Sequence, residues 1–314
     1  RFADLLGETA LLALENRSAR AAAEKTLRQA AHKGQSVVAV GFPGYPAALA
    51  AIYDPPPVLF YRGSLTSGSR RVAIVGARGA TPSGLSLARD LARGLSSHRI
   101  EVVSGLARGI DGAAHEGALL GGATTLAVLG SSVDIVYPRE HTGLAARIEA
   151  AGAVISELAP GTPPAASQFP SRNRIIVGLC EAVIMVEAGS RSGALITTRL
   201  ALDEGRDVLA VPGRPADPLS YGPNLMIRDG ATLIRGLEDV LEHLGIEPAP
   251  TKGLSSPPDK ILEQLADSAV KSVDQLSVNT GLATHFLMAR LSELELSGRI
   301  ERLPGTLFRA AGPA

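Results

Sequence analysis

The sequence has a single cysteine, Cys180, among 314 residues, and it has no long uncharged apolar run. One cysteine cannot form a disulfide framework or a cysteine-rich zinc site, which excludes the small disulfide-bonded and zinc-finger classes. A membrane-spanning helix needs about 18 or more consecutive apolar residues, and no segment provides them. We therefore expect a cytoplasmic protein without a membrane partner. Because the chain begins at Arg1 rather than Met, we expect its start to be trimmed.

Net charge is also absent, since 31 Lys and Arg balance 31 Asp and Glu. Neutrality neither supports nor excludes a nucleic-acid partner, so any basic surface has to be local. Residues 69–245 contain 17 arginines and no lysine. Arginine is the better fork for phosphate and the better stacking partner for bases. An organism that simply prefers arginine would show the same bias, so only the positions of individual arginines can indicate a site.

The pattern of the chain predicts four parts. Residues 1–64 combine Ala- and Leu-rich helical periodicity with lead-in strands. Residues 65–245 alternate short apolar strands with helices. Residues 246–258 are a linker rich in Pro, Gly and Ser, and residues 259–314 carry three helical patterns and a predicted hairpin.

The middle part predicts an α/β core with a parallel sheet covered on both faces, because its short strands are apolar on both sides. The predicted strands cover residues 72–77, 100–104, 125–129, 153–156, 182–187 and 207–211. Ligands of such sheets bind at the carboxyl ends of the strands. Three helices followed by a hairpin in the last part are the winged-helix arrangement, a relative of the helix-turn-helix.

The first of these strands is followed by Gly76-Ala77-Arg78-Gly79. The glycine spacing is not that of the dinucleotide fingerprint G-x-G-x-x-G, and Ser104-Gly105 stands where an acid should end the second strand. A glycine loop before a helix still offers N–H groups to an anion, and Arg78 adds a charge-assisted fork. Alternatively, the glycines only make the turn and Arg78 pairs with a nearby carboxylate.

The second strand is followed by Gly105, Arg108 and a helix start that contains Asp111, with His115 four residues later. An Asp–His pair on one helix face suits general acid–base chemistry. We favour a capping Asp and a hydrogen-bonded His, because no nucleophile accompanies them. Histidines and the cysteine never cluster at metal-ligand spacing, so we predict no metal and no cofactor.

Two further loops add polar groups. The segment from Gln168 to Arg174 places Phe169 before a proline and beside two arginines, which suits a base-stacking face with phosphate partners. Phe169 could equally plug the edge of the sheet. The fifth strand ends in a Ser/Gly-rich loop with Arg191, Ser192 and Gly193, another anion cradle before a helix. The loops after the first, second and fifth strands each combine glycine with an arginine. Three such loops at one edge of the sheet indicate a phosphate or polyanion site.

Together these segments resemble the DprA/Smf DNA-processing family, in this order and spacing: VAIVGAR, SGLARGIDGAAHEGAL, FPSRNRIIVGL, EAGSRSGALITT and VPG. The resemblance covers about residues 40–245 densely. It implies an extended Rossmann-like core with an N-terminal helical (partial SAM-like) segment and a C-terminal winged-helix domain. Ala77 stands where many members have serine, which should matter little because the backbone forms the cradle.

The resemblance implies binding rather than catalysis. Members bind single-stranded DNA that enters the cell during natural transformation, form homodimers and help load the RecA recombinase. Arg78 matches the arginine of the family's G-S/A-R motif, Phe169, Arg172 and Arg174 match its F-P-x-R-N-R segment, and Arg191 matches a basic position in the next loop. The nucleic-acid site is therefore predicted to comprise Gly76, Arg78, Gly105, Arg108, Phe169, Arg172, Asn173, Arg174, Arg191, Ser192 and Gly193.

Two alternatives stay open. The core also resembles the lysine-decarboxylase-like phosphoribohydrolases, which cleave nucleoside monophosphates, but the matching stretch EAGSRSGALITT lacks their Pro-Gly-Gly and their catalytic acid. The predicted recognition helix, residues 284–296, carries Arg290 as its one basic residue apart from histidine. The hairpin arginines Arg299, Arg302 and Arg309 suit a weak duplex contact, whereas the low charge of the helix suits a protein-interaction module.

Overall fold

The computed structural model describes six stretches of the chain, residues 17–65, 70–246, 260–265, 270–282, 284–296 and 299–310. The predicted linker, except for Ile246, and residues 1–16 lie outside the described residues. The chain separates into two compact units, residues 1–248 and 249–314. Among the described residues, no helix combines the length and apolar character that crossing a membrane requires.

The first unit is built on one sheet, and the described strands follow the order β1-β2-β6-β5-β4-β3-β7-β8-β9. The strands are β1 (Ser36–Ala39), β2 (Val58–Gly63), β3 (Arg71–Val75), β4 (Glu101–Ser104), β5 (Thr125–Val128), β6 (Ala153–Ser156), β7 (Ala182–Met185), β8 (Asp207–Ala210) and β9 (Thr232–Leu233). From β6 to β9 in this order all neighbours are parallel, whereas β2 pairs antiparallel with both β1 and β6. The strand order reverses at β3, which opens a crevice at the carboxyl ends of β3, β4 and β7.

Helices cover both faces of this sheet. They are α1 (Arg17–His32), α2 (Ala47–Ala50), α3 (Pro82–Ser97), α4 (Ile110–Gly121), α5 (Thr142–Ala151), α6 (Gln168–Leu179), α7 (Gly193–Asp203), α8 (Tyr221–Arg228) and α9 (Leu237–His243). Successive residues of a strand point to opposite faces, so β3 places Val72 and Ile74 in one apolar cluster and Ala73 and Val75 in another. This explains why the strands read as continuous apolar runs, and it confirms the predicted extended Rossmann-like core.

Helix α6 begins at Gln168, within the segment from Gln168 to Arg174 that the sequence analysis describes as a loop. The prediction treated Pro170 as part of a loop. Proline is tolerated in the first turn of a helix, because the N–H groups there have no partner within the helix. Phe169 and Arg172 therefore lie on the first turns of a helix.

The second unit has the arrangement of a winged helix. Its described elements are α10 (Lys260–Leu265), β10 (Lys271–Ser272), α11 (Val273–Thr280), α12 (Thr284–Leu296), β11 (Ile300–Leu303) and β12 (Leu307–Ala310). The strands pair antiparallel in the order β10-β12-β11, and Phe308 of β12 packs among leucines of α11 and α12. In the hairpin, Arg309 is ion-paired with Glu301, and the guanidinium of Arg302 lies 5.9 Å from the ring centre of Phe308.

His115 of α4 is fully buried, and its Nδ1 lies 2.9 Å from the hydroxyl of Thr125. That hydroxyl donates to the carbonyl of Val102, so it accepts from Nδ1–H of the imidazole. Among the described residues, Nε2 has no hydrogen-bond partner. Burial, with smaller effects of His141 and Arg172, lowers the pKa of His115 to about 3.

We expect the buried His115 to make the protein acid-sensitive. An unfolded histidine has a pKa near 6.5, so between that pH and about 3 the unfolded state binds more protons and the free energy of unfolding falls as pH falls. The slope from this group should approach about 1.4 kcal/mol per pH unit. Urea titrations of the parent and of His115→Gln between these pH values measure it. Parallel pH profiles for the two proteins would contradict the assignment.

Candidate nucleic-acid interface

A cavity of about 630 Å³ opens at the carboxyl ends of β3 and β7, where the strand order reverses. Most of the predicted site residues line this cavity, hereafter the strand-end pocket: Gly76, Arg78, Phe169, Arg172, Asn173, Arg191, Ser192 and Gly193. Gly105 and Arg108 line a smaller adjoining cavity that shares Arg78, Phe169 and Arg172 with it. Arg174 lines neither cavity. The loops that follow β3, β4 and β7 therefore meet at one cavity, as the sequence predicts.

Main-chain hydrogen bonds hold the loops of the strand-end pocket together. The N–H of Ala77 donates to the carbonyl of Glu187 (2.6 Å), and the N–H of Ile110 donates to the carbonyl of Ala77 (3.2 Å). Gly109 has a φ of +75°, and a Cβ there would lie 2.2 Å from the carbonyl oxygen of Ala77. Only glycine fits such a close approach, so this residue lets the loops after β3 and β4 meet.

The start of α3 already holds an anion that belongs to the chain itself. The carboxylate of Glu187 accepts hydrogen bonds from the N–H of Thr81 (2.8 Å) and from its hydroxyl (2.5 Å). Gly84 leaves room for it, since a Cβ there would lie 2.4 Å from the carboxyl carbon. The glycine loop at Gly76 therefore does not present a vacant helix start to a phosphate. Glu187 supplies the negative charge that the helix N-terminus favours.

The start of α7 faces the strand-end pocket instead. Ser192 caps this helix by accepting from the N–H of Ala194 (3.3 Å), and space is open beside Gly193. Arg191 precedes it and is exposed. Within the part of the chain that the structure describes, neither Arg191 nor Arg78 makes an ion pair. Two uncompensated guanidinium groups thus flank the pocket at an electropositive helix end.

Phe169 lies half-buried at the mouth of the pocket. The guanidinium carbon of Arg78 is 5.4 Å from its ring centre, and the ring of Tyr137 is 5.8 Å away at a tilt of 46°. A Cβ on Gly130 would lie 2.8 Å from the Phe169 ring, so this glycine makes room for it. Phe169 and Arg78 therefore form a cation–π pair that is accessible to a ligand. Tyr137, which follows the third predicted strand directly before a proline, was given no role by the sequence interpretation.

Arg172 does not offer its guanidinium to the pocket as an exposed fork. It is buried, its Nη1 donates to the carbonyls of Gly105 (2.7 Å) and Val128, and its Nε donates to Asn173 Oδ1 (3.1 Å). Burial lowers the pKa of Arg172 to about 10, although Asp111 opposes the change, so it stays charged at neutral pH. Arg172 fastens the ends of β4 and β5 beneath the pocket.

Arg174 and Arg108 are engaged with carboxylates. Arg174 bonds Asp54 through Nε (2.9 Å) and Glu157 through Nη2 (2.6 Å). Arg108 pairs with Glu140 at the surface. The sequence predicts both Arg172 and Arg174 as phosphate partners in one nucleic-acid site. The structure separates them, because residues two apart lie on different sides of a helix.

Asp111 is the carboxylic acid among the described residues that line the strand-end pocket. Burial raises the pKa of Asp111, and its Oδ2 accepts from the N–H groups of Gly105 (3.1 Å) and Ala107 (3.4 Å). It does not cap α4, whose N-cap is Gly109, but fastens the loop before that helix. No contact of Asp111 favours the phosphoribohydrolase alternative, which needs a carboxylate that reaches substrate.

Comparison with protein families gives a match over most of the first unit. The model of DNA recombination-mediator protein A matches residues 35–245, the stretch that contains the entire pocket. The chain belongs to this family. The model of the DprA winged helix domain matches residues 238–306, in agreement with the fold of the second unit.

Similar proteins carry related names. Protein Smf of Escherichia coli is 39% identical over 280 residues, which are 84% of this chain and 75% of that protein. DNA processing protein DprA of Streptococcus pneumoniae is 45% identical over 198 residues, 63% of this chain and 70% of that protein. The solved structure of the latter superposes with a TM-score of 0.63 at 42% identity, covering 66% of this chain and 73% of that one.

A second solved structure is DNA processing protein A of Helicobacter pylori, described in terms of its single-stranded DNA binding mode. It superposes with a TM-score of 0.61 at 28% identity and covers 67% of this chain and 95% of that one. The predicted family and fold are thus confirmed.

Proposed function

We propose that this chain binds single-stranded DNA in the strand-end pocket during DNA processing in natural transformation and recombination. The observation that carries the proposal is a pair of exposed arginines, Arg78 and Arg191, that have no ion-pair partners among the described residues and line one pocket with Phe169. Cations for phosphates beside an aromatic face for a base are the combination that single strands require. The Helicobacter pylori relative, described as binding single-stranded DNA, supports it.

The two kinds of contact divide the work. Arg78, Arg191 and the N–H groups at the start of α7 would bind backbone phosphates, which carry no sequence information. Phe169 would stack on one base. We therefore expect weak sequence preference. Duplex DNA should bind less tightly, because its bases are stacked on each other and cannot reach the ring.

Homodimerisation and RecA loading belong to the same proposal. One pocket of this size holds only a few nucleotides, so two pockets that grip one strand would raise the overall affinity through effective concentration. DNA held in this way is protected and presented to a recombinase. The family to which the chain belongs is named as a recombination mediator, which supports a partner of the RecA type.

The test is fluorescence anisotropy of labelled oligo-dT from low to moderate salt, with unlabelled duplex as competitor. We expect preferential binding of single strands, and a log–log salt slope of roughly −0.7 for each phosphate neutralised. Equal competition by duplex and single strands would contradict the proposal, as would an affinity that does not change with salt.

Phe169→Ala is expected to weaken binding of oligo-dT by about 1–3 kcal/mol, because one base loses its stacking partner. Phe169→Tyr keeps the ring and serves as the matched control, with affinity near that of the parent. The salt slope should change little in either variant, since stacking releases no counterions. If Phe169→Ala binds as tightly as the parent, the ring does not stack on a base.

A further inference from the structure

A second groove, of about 450 Å³, lies between α1 and the loop at Pro160 and Gly161. We call it the α1 groove; its α1-side residues are Lys25, Arg28, Gln29, His32 and Lys33. None of them belongs to the site predicted from the sequence or to the strand-end pocket.

The α1 groove is strongly basic in a chain of zero net charge. Residues 17–33 contain five Lys or Arg and one acid, Glu24. Lys25, Arg28 and His32 recur at helical spacing, so they lie on one face of α1. Arg28 lies 3.8 Å from Glu24, a loose contact between exposed groups. The opposite face contributes Ala30 to the apolar core, which leaves the cationic side chains in solvent.

The groove has a fixed position on the core. Lys33 pairs with Asp134, whose Oδ1 also accepts from Gln35 Nε2 (3.0 Å) and from the N–H of Gly161 (3.2 Å). Arg62 of β2 donates to the carbonyl of Lys33 (2.8 Å). These bonds join the end of α1 to the loop that contains Asp134 and, through Asp134, to the loop at Gly161 that borders the groove.

The same loops lead to the strand-end pocket. Asp134 stands three residues before Tyr137, whose ring packs against Phe169 at the pocket mouth. Three residues span at most roughly 11 Å. Because Lys33 of the groove pairs with Asp134, the groove begins a short distance from the aromatic pair. A strand that leaves the pocket beside Phe169 and Tyr137 therefore meets the cations of α1 within a few nucleotides.

We propose that the α1 groove binds the phosphate backbone of the same single strand as it extends beyond the strand-end pocket. The inference rests on the proposed function and adds a second, purely electrostatic contact to it. Lys25 and Arg28 supply the charges. The groove's lining residues include no Phe, Tyr or Trp, and contacts to phosphate carry no base information, so the contact should be independent of base identity.

The test compares Lys25→Gln/Arg28→Gln with the parent on two oligo-dT lengths, roughly 5 nucleotides to fill the pocket alone and about 20 to reach further. We expect the double variant to bind the long oligonucleotide about five- to tenfold more weakly, the effect of losing two exposed ion pairs. Its salt slope should be shallower by up to about 1.4, and the short oligonucleotide should bind as to the parent.

The matched control is Arg93→Gln/Arg228→Gln, which removes the same amount of charge. These two arginines contact Asp90 and Asp229 at the surface, and they line neither the strand-end pocket nor the α1 groove. It should bind both lengths like the parent. If the α1 variant binds the long oligonucleotide like this control, the groove does not contact DNA, although the pocket proposal stands. If the parent binds neither length, the proposed function itself fails. An equal loss on both lengths would show that α1 acts on the pocket and not on the extended strand.

Discussion

Arg78→Ala is expected to weaken single-stranded DNA binding by about 10- to 100-fold, the size of a lost hydrogen bond to a charged group. Arg78 lines both cavities, is exposed and has no ion-pair partner among the described residues, so its full charge is available to a phosphate. Its removal also frees the face of Phe169 that the guanidinium now covers. The salt slope should become shallower by roughly 0.7 for the phosphate no longer neutralised.

Arg174→Gln is the matched comparison, because the sequence motif predicts both arginines as ligands and the structure treats them differently. The charge of Arg174 is already balanced by Asp54 and Glu157, so this variant should keep the affinity and the salt slope of the parent. Anisotropy titrations of both variants with oligo-dT show whether one or both arginines bind DNA, and thermal melts verify that each variant is folded. A loss that is equal for the two variants would show that Arg174 leaves its carboxylates to bind DNA.

The fold was predictable because its signals are local. Val72 to Val75 read as a buried strand whichever ligand the sheet binds, and the glycines after the strands fix where the loops turn. The start of α6 was misplaced because Pro170 is acceptable both in a loop and in the first turn of a helix, and sequence alone does not distinguish these.

The sequence predicts where the site lies but not the role of each residue in it. Sequence shows that an arginine follows a strand, but its role depends on which partners the fold brings to it. Arg172 donates to two carbonyls, Arg174 pairs with two carboxylates and Arg78 lies against an aromatic ring. The acid that occupies the start of α3, Glu187, lies more than 100 residues further along the chain, so no local pattern predicts it.

Some charges around the pocket are compensated within the protein and others are not. Arg172 and Asp111 compensate each other inside the protein, and Glu187 satisfies the start of α3. The uncompensated positive charge at the surface of the pocket is that of Arg78 and Arg191. A phosphate therefore meets cations that need not break an internal ion pair before they bind it, which favours rapid association.

Arg172→Met is expected to destabilise the fold by about 3–5 kcal/mol, because it removes one charge of a buried, compensated set and leaves Asp111 without its counter-charge. The carbonyls of Gly105 and Val128 also lose their donor. For a unit of this size the melting temperature should fall by roughly 6–20 °C. Arg172→Lys keeps the charge but not the planar, two-pronged guanidinium, so its melting temperature should lie between those of the parent and Arg172→Met.

Stability and binding must be measured together to separate the two roles of Arg172. A structural role predicts that Arg172→Met lowers the urea midpoint, while the fraction that remains folded keeps the salt slope of the parent. The reverse result, an unchanged urea midpoint with a shallower salt slope, would mean that the guanidinium exchanges its carbonyls for a phosphate when DNA binds. The double variant Asp111→Asn/Arg172→Met should recover part of the lost stability, because the carboxylate left uncompensated is then absent.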